Sequence, residues 1–276
     1  MKEALRDLAQ RWLRYWPTAD VTLMAADVEA RLVSARTAWK LGALEPLPGG
    51  AVALTCAAAD VVVKVLPRGH PEEAQMRGEG EALAHWGSTG AAVELLGRRD
   101  NGMTMLLRRL DPATTLDEAT SDYDRQLVEV GTLVRRLHAA GDAPAGLPGI
   151  EHHVDAFRRV PDPQLQADLD ALIASTEAPV AVHGDLHGGN LLLDGDRWVA
   201  IDPKGVPGDR HLDVWLLVCP QAPALPDDRE AARTEARRRV EVYADAAGLD
   251  AARAAAWAHV VARAEAVLSA QSAYAG

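Results

Sequence analysis

The sequence predicts an α+β protein of two lobes, with a small antiparallel sheet in the N-terminal lobe and a larger, helical C-terminal lobe. Three observations support this. Runs of β-branched residues cluster before residue 110, helical patterns dominate after it, and 276 residues is long for one compact core. A sheet-rich stretch followed by a helix-rich stretch is typical of this class. We therefore expect an N-lobe at 1–107, a hinge at 108–112 and a C-lobe at 113–276.

Residue spacing predicts the N-terminal elements. Apolar residues recur at helical spacing within 3–16, which predicts an amphipathic helix. The β-branched runs at 51–57 and 61–66 predict a hairpin, and Pro67 ends its second strand. Residues 71–86 have a proline near the first turn and acidic residues behind it, which is typical of the start of a helix.

The remaining elements change character near the hinge. Two strands, 93–99 and 103–110, flank the sequence Asp-Asn-Gly, which is a tight-turn signal. Beyond Pro112 the pattern becomes helical, and an apolar stripe from Tyr123 to Leu137 predicts the first long helix. Further helices are predicted at 163–175, 213–218, 227–247 and 250–270.

Composition and charge narrow the function classes. Acidic residues outnumber basic ones, 40 to 29, for a formal charge of −11, which makes nucleic acid a poor partner and suits solubility or a cationic ligand. Two cysteines, Cys56 and Cys219, exclude a disulfide framework and a four-cysteine metal site. The N-terminus has no apolar signal core, and the longest apolar run, 214–219, is far below the roughly 20 residues that a bilayer requires. We expect a cytoplasmic protein with no membrane partner.

One segment, 181–205, carries the strongest chemical signal. His183, Asp185 and Asn190 fit the pattern H-x-D-x-x-x-x-N, the spacing of a kinase catalytic loop. In such a loop the aspartate would orient an acceptor hydroxyl and take its proton, and the histidine would support the loop by hydrogen bonding.

The residues after this loop predict a hairpin centred on 194–197. Pairing of Leu191 near Ile201 would bring Asn190 and Asp202 out side by side at the open end of the hairpin. An amide oxygen next to a carboxylate suits Mg²⁺, which binds oxygen ligands and phosphate groups. The loop and hairpin together are more specific than the loop pattern alone, which also arises by chance.

Two other chemistries fit less well. His183 and His187 lie four residues apart, which on a helix would offer a zinc pair. The intervening and following glycines argue against a helix there, and no third ligand is evident. A serine hydrolase is not supported, because the sequence contains no G-x-S-x-G.

Lys64 interrupts the apolar run 61–66 and has two interpretations. It could lie on an exposed edge strand and face water, or it could point into a cleft and contact the α- and β-phosphates of a nucleotide. A buried lysine requires an anionic partner. Glu79 precedes the core-facing Leu83 by one helical turn, so we choose Glu79 as the partner and keep Glu81 as the exposed alternative.

The segments HGDLHGGN (183–190) and DPKG (202–205) resemble the aminoglycoside phosphotransferase family, and within it the streptomycin 6-kinase (aminoglycoside/hydroxyurea resistance kinase) branch. The similarity continues through 208–213 and 237–250 and covers most of the chain. It implies a protein-kinase-like fold with a modified helical lobe, and an enzyme that uses ATP and Mg²⁺.

The resemblance implies roles for individual residues. Asp185 would be the catalytic base, Asn190 and Asp202 the Mg²⁺ ligands, and Lys64 with Glu79 the pair that positions the phosphates.

The same resemblance extends to the hinge and to two supporting residues. Segment 105–111 is similar to the inter-lobe hinge, where the adenine edge would bond backbone groups near Arg108 and Leu110. Asp213 would be a structural acid that braces the catalytic loop. Lys204 has two open interpretations, since it could neutralise a phosphate oxygen or point to solvent.

The sequence departs from the wider kinase pattern at three places, of which one is the hinge, where Arg108 and Arg109 stand in a position at which an acid is common. Pro203 stands where protein kinases have the phenylalanine of Asp-Phe-Gly, although Asp-Pro is normal in this branch. The nucleotide loop, which we place at 34–39, contains no glycine.

The resemblance implies phosphorylation of a hydroxyl on a small, cationic, hydroxylated molecule, foremost an aminoglycoside of the streptomycin type. Alternatives are a kinase of another metabolite, such as an amino sugar or a hydroxamate-like compound, and a catalytically inactive, nucleotide-binding regulatory protein. The intact set of Lys64, Asp185, Asn190 and Asp202 argues against the inactive protein.

Overall fold

A computed structural model describes residues 1–48, 50 and 52–274, and only the backbone of 270–274. The protein has the predicted α+β, two-lobed architecture. The strands are β1 (Glu45–Pro46), β2 (Leu54–Ala58), β3 (Val61–Val65), β4 (Leu95–Arg99), β5 (Thr104–Arg108), β6 (Pro112–Thr115), β7 (Val180–Val182), β8 (Leu191–Asp194), β9 (Arg197–Ala200) and β10 (Val206–Gly208). The helices are α1 (Lys2–Tyr15), α2 (Val21–Ala38), α3 (Glu73–Trp86), α4 (Leu116–Ala119), α5 (Tyr123–His138), α6 (Ile150–Arg158), α7 (Pro163–Ala174), α8 (Trp215–Val218), α9 (Arg229–Ala247) and α10 (Ala251–Tyr274).

The N-lobe sheet is antiparallel, with the strand order β1-β2-β3-β5-β4. One of its faces is covered by α1 and α2, and Val63 and Val65 of β3 are buried in the core that these helices form. Because successive side chains of a strand point to opposite faces, Lys64 points to the other face. The lysine side chain thus points away from α1 and α2.

The other face of the sheet packs against α3. Leu83 and Trp86 of α3 are buried in one core with Met105 and Leu107 of β5. This contact fixes which side of α3 faces the sheet. Glu79 lies on that side and is therefore held near Lys64.

The C-lobe is built on packed helices. The apolar stripe predicted for α5 is buried, including Leu127, Val134 and Leu137, and it joins a core shared with α9 and α10. Two small antiparallel sheets, β6-β8-β9 and β10-β7, sit beside these helices and hold the loops between β7 and β10. In the part of the chain that the structure describes, no helix is both long and apolar enough to cross a bilayer.

Most predicted elements are present, with corrections at their bounds. The predicted strand 51–57 begins at Leu54, and Ala51 lies outside the described residues. The helix predicted at 213–218 starts only at Trp215. Neither α2 nor α6 is predicted by the sequence. The division into 1–107, 108–112 and 113–276 stays a prediction.

Candidate active site

Lys64 lies in β3 between β2 and β5, so the edge-strand interpretation is wrong. Its ammonium lies 2.6 Å from Glu79 Oε2 and also contacts Asp202 Oδ1. Burial lowers the pKa of Lys64, but the charges of Asp202 and Glu79 outweigh this effect and raise it above its ordinary value. The lysine is therefore held as a cation between two carboxylates.

Glu79 reaches this lysine because of its place on α3. It is 2% exposed, on the side of the helix that faces the sheet, whereas Glu81 pairs with Arg98 at 2.5 Å. Burial raises the pKa of Glu79 to about 7, against the opposing effect of the Lys64 ammonium. Of the two glutamates considered from the sequence, the structure brings Glu79 to Lys64.

The histidine of the predicted loop lies inside the protein. His183 is fully buried and stacks on Trp86, with ring centroids 6.3 Å apart. The backbone N–H of Asp185 donates to its Nδ1 at 3.3 Å, so its Nε2 carries the proton and donates to the carbonyl of Ile201 at 2.9 Å. Burial lowers the pKa of His183 to about 4, which keeps the ring neutral. The ring joins the loop to the end of the β8–β9 hairpin.

Asp213 holds the same loop from behind. Its Oδ2 accepts from the backbone N–H of His183 at 3.0 Å, and its Oδ1 accepts from that of Gly184 at 2.8 Å. Burial raises the pKa of Asp213 to about 6, although both hydrogen bonds favour the charged form. Its backbone carbonyl accepts from the hydroxyl of Tyr243 at 2.5 Å, which connects the brace to α9.

Asn190 and Asp202 lie at the open end of the hairpin. The backbone N–H of Ile201 donates to the Asn190 carbonyl at 3.0 Å, which keeps the two strand ends together. Asn190 Nδ2 donates to the carbonyl of Asp185 at 2.9 Å, and this contact commits the amide nitrogen and leaves the side-chain oxygen as an acceptor. Asp202 has a positive φ of 57°, a backbone conformation that aspartate tolerates better than most residues.

These two side chains suit Mg²⁺ by their chemistry. The carboxylate of Asp202 is 49% exposed and carries a negative charge, since Lys64 lowers its pKa. One or two protein oxygens are a usual Mg²⁺ set, because this ion keeps waters and binds phosphates. A zinc site finds no support. His187 Nδ1 accepts from the backbone of Gly189 in a short 3₁₀ turn, and no group of three or more His, Cys, Asp or Glu residues within the described ranges could hold a metal.

Seven of the predicted site residues line one cleft, a cavity of about 630 Å³. It is lined on the sheet side by Lys64, on the helix side by Glu79, and on the loop side by Asp185, Asn190 and Asp202. Hinge residues 108–110 line it as well. The structure thus brings the predicted catalytic, metal-binding and phosphate-positioning residues to the same cleft as the hinge.

The prediction of a nucleotide loop at 34–39 is wrong. Residues 34–38 form the last turn of α2, a helix that Asp20 caps and that buries Val28 and Leu32 against the sheet. The cleft is instead lined by the β1–β2 connection, with Pro48, Gly50 and Val52. Its sequence signal is the Pro-Gly-Gly at 48–50, of which Gly49 lies outside the described residues.

Two further predicted residues make other contacts. The guanidinium of Arg108 is held by Asp194 at 2.5 Å, and its backbone N–H donates to the Glu94 carbonyl at 3.0 Å. Lys204 donates its backbone N–H to the carbonyl of His183 at 2.8 Å and does not line the cleft with Lys64.

The side chain of Lys204 has neighbours that no motif marks. It is half-buried and interacts electrostatically with His153 of α6 and Glu265 of α10. Burial raises the pKa of Glu265 and lowers that of His153 to about 3, with the Lys204 charge lowering both. These two residues come from distant parts of the chain, so local sequence patterns do not reveal them.

A lysine on the central strand of an antiparallel sheet, its glutamate on the next helix, and a His-x-Asp loop followed by a hairpin that brings Asn190 close to Asp202 together define a protein-kinase-like fold. Comparison with known sequences specifies the family. The chain belongs to the aminoglycoside/hydroxyurea antibiotic resistance kinases, whose family model matches residues 51–273. The resemblance inferred from the loop motifs is confirmed.

Individual relatives agree with this assignment. A streptomycin 6-kinase of Streptomyces griseus is 33% identical over 196 residues, which cover 63% of this chain and 61% of that protein. A hydroxyurea phosphotransferase of Kitasatospora aureofaciens is 31% identical over 237 residues, covering 79% of this chain and 66% of the relative. The chain thus spans less than two thirds of the length of these curated relatives.

A solved structure supports the fold. An aminoglycoside phosphotransferase of Streptomyces rimosus, determined in complex with ADP and streptomycin, superposes with a TM-score of 0.58 at 19% identity. The match covers 86% of this chain and 98% of that one.

Proposed function

We propose that the protein is an ATP- and Mg²⁺-dependent O-phosphotransferase that acts on a hydroxyl group of a small molecule. The observation that carries the proposal is the bridging of Glu79 and Asp202 by Lys64 in the cleft that Asp185 and Asn190 also line. This set provides a cation for phosphate oxygens, oxygen ligands for a metal and a carboxylate for the acceptor. Family membership and the nucleotide complex of the Streptomyces rimosus enzyme support the same chemistry.

Each residue has a part in the proposed transfer. Asn190 and Asp202 would hold Mg²⁺, which when bound neutralises charge on the phosphates. Lys64, kept in place by Glu79, would contact the phosphate oxygens. Asp185 would orient the acceptor hydroxyl in line with the γ-phosphorus and take its proton. The acceptor oxygen forms the new bond to phosphorus as the bond to the ADP oxygen breaks, so the products are ADP and a phosphorylated acceptor.

The hinge would bind the adenine edge through its backbone. Because the N–H of Arg108 already donates to Glu94, the groups that we propose for this contact are the Arg108 carbonyl and the Leu110 N–H. The Arg108 side chain would act indirectly, since its ion pair with Asp194 joins the hinge to the β8–β9 hairpin.

The acceptor that the relatives favour is an aminoglycoside of the streptomycin type. The formal charge of −11 suits a cationic acceptor, and we place the reaction in the cytoplasm. A second candidate is another small hydroxylated metabolite, because the family also includes a hydroxyurea phosphotransferase, whose named substrate is chemically unlike streptomycin.

The test is ADP release in the presence of Mg²⁺ and ATP, with streptomycin, hydroxyurea, amino sugars and amino alcohols as acceptors. We expect streptomycin to stimulate ADP release. Asp185→Asn should reduce turnover by roughly 10²–10⁴-fold without loss of ATP binding, as is typical for general-base groups. The matched control is Asp245→Asn, an exposed change on α9. Full turnover by Asp185→Asn would refute the assigned base, and stimulation by a different acceptor alone would refute streptomycin and keep the kinase.

A further inference from the structure

Helix α3 and the loop that follows Asp202 touch through their backbones. A Cβ atom built on Gly78 would lie 2.5 Å from the carbonyl oxygens of both Lys204 and Gly205. In the reverse direction, a Cβ on Gly205 would lie 2.1 Å from the Gly78 carbonyl oxygen. Real Cβ atoms do not approach backbone atoms so closely, so glycine on both sides is a condition of this contact.

The contact lies next to both anionic partners of Lys64. Glu79 directly follows Gly78 on α3, and Asp202 precedes Gly205 by only a few residues in the loop. Lys64 Nζ contacts both carboxylates, one from each element. The separation of the two backbones at Gly78 and Gly205 therefore sets the spacing of Glu79 and Asp202 around the lysine.

We propose that Gly78 and Gly205 are positioning residues that hold α3 at the distance at which Glu79 pairs with Lys64 while Asp202 stays in reach. This inference rests on the proposed function, since Lys64 and Asp202 are its nucleotide and metal groups. It implies that α3 is locked in the paired position by direct backbone contact and needs no separate event to align it.

A second glycine on the same helix separates this role from helix propensity. A Cβ on Gly80 would meet Arg98 Cδ at 3.1 Å and Met105 Sδ at 3.3 Å, both atoms of flexible side chains. Alanine favours the helix equally at both positions. Gly80→Ala is thus a matched control for Gly78→Ala, with the same chemical change and no backbone obstruction.

The test measures Mg·ATP affinity by calorimetry in a double-mutant cycle of Gly78→Ala with Glu79→Gln. We expect Gly78→Ala to weaken binding on the order of 10- to 100-fold, the range for loss of a hydrogen bond to a charged group, and Gly80→Ala to bind as the wild type. In the Glu79→Gln background Gly78→Ala should add little, because it acts through the same pair. The positioning role would be overturned if the losses of Mg·ATP affinity in the two single variants multiplied fully in the double variant. It would also be overturned if Gly78→Ala bound Mg·ATP as the wild type does.

Two outcomes need separate treatment. If Gly78→Ala does not fold, Gly205→Ala displaces the same contact from the loop side and enters the same cycle. Failure of both variants to fold, with Gly80→Ala folded, would overturn positioning in favour of a purely structural contact. Absence of Mg·ATP binding by the wild-type chain would instead refute the proposed function.

Discussion

Substitution of Asp213 by asparagine should separate activity from stability. The carboxylate accepts one backbone N–H with each oxygen, from His183 at 3.0 Å and from Gly184 at 2.8 Å, and it is 1% exposed. Asparagine has one acceptor oxygen, so Asp213→Asn keeps one of these bonds and turns an NH₂ group toward the other donor. The perturbation falls on the loop that carries Asp185 and on His138 of α5, whose Nε2 lies 3.9 Å from Asp213 Oδ2.

Two opposing effects set the change in the free energy of unfolding of Asp213→Asn. Loss of one hydrogen bond to a charged acceptor costs about 1.5–3 kcal/mol. Burial raises the pKa of Asp213 from 3.8 to about 6, so at neutral pH the folded protein bears a penalty of roughly 3 kcal/mol for this ionised group, which asparagine removes. The free energy of unfolding should therefore change by only about 1 kcal/mol. The catalytic loop still loses a bond, which lowers the population of its active arrangement on the order of 10- to 100-fold.

The assay compares kcat, the KM for ATP and urea unfolding of Asp213→Asn with those of the exposed control Asp245→Asn. We expect kcat to fall on the order of 10- to 100-fold at nearly unchanged KM, because Lys64 and Asp202 are untouched. Protonated Asp213 offers the loop a single strong acceptor, as asparagine does. Protonation of Asp213 should therefore add a fall in wild-type kcat near pH 6 to any change caused by Glu79, whose pKa is about 7, and the variant should lack the Asp213 step.

Either of two results would show that Asp213 does not hold the catalytic loop in its active arrangement. One is a kcat for Asp213→Asn within a factor of two of the control, since the brace would then be dispensable for the loop. The other is persistence of the full acid limb near pH 6 in the variant, which would assign that titration to a different group.

Two other predictions concern the metal site and acid stability. Asp202→Asn should abolish the Mg²⁺ dependence of ATP binding in calorimetry, whereas Asp196→Asn in the exposed hairpin turn should not; an unchanged Mg²⁺ dependence would contradict the assignment. Burial lowers the pKa of His70 and His183 to about 4, so below their ordinary value of 6.5 the unfolded chain binds more protons than the folded one. The stability that these two histidines contribute should be fully present above pH 6.5 and fall between pH 6.5 and 4. His70→Asn should therefore reduce the slope of the free energy of unfolding, measured with urea, against pH by about 1.4 kcal/mol per unit in that range, and an unaltered slope would be the contrary result.

The parts of the site that the sequence predicts well depend on local signals. Residues 183–190 carry the loop in one continuous segment, and the two-residue turn at Gly195-Asp196 makes the hairpin visible. The predicted pairing of Leu191 near Ile201 is wrong by one residue, because Leu191 pairs with Ala200. The error does not move Asn190 away from Asp202, since the Ile201 N–H bonds to the Asn190 carbonyl.

Elements without a clean pattern escape prediction. Helix α2 buries residues at helical spacing, but Leu23 and Val33 are 68% and 63% exposed and blur its apolar stripe. Helix α6 buries only Val154 and Phe157 and has no side-chain cap. The helix predicted at 213–218 begins two residues late, at Trp215, and the Asp213 carboxylate binds the catalytic loop. In each case the packing partner, which is distant in sequence, decides the structure.

The position of the nucleotide loop shows why such an error follows from a short strand. A loop that covers a nucleotide must connect two adjacent strands of the sheet, and the first of these here is β1, with two residues, Glu45–Pro46. Two residues carry no periodicity, and a typical strand has about five. If β1 is not recognised, the segment before β2 does not look like a connection between two strands. The loop is then placed too early in the chain, at residues that belong to α2. The Pro-Gly-Gly at 48–50 is the better criterion, because glycine allows backbone to approach a ligand closely whatever the length of the preceding strand.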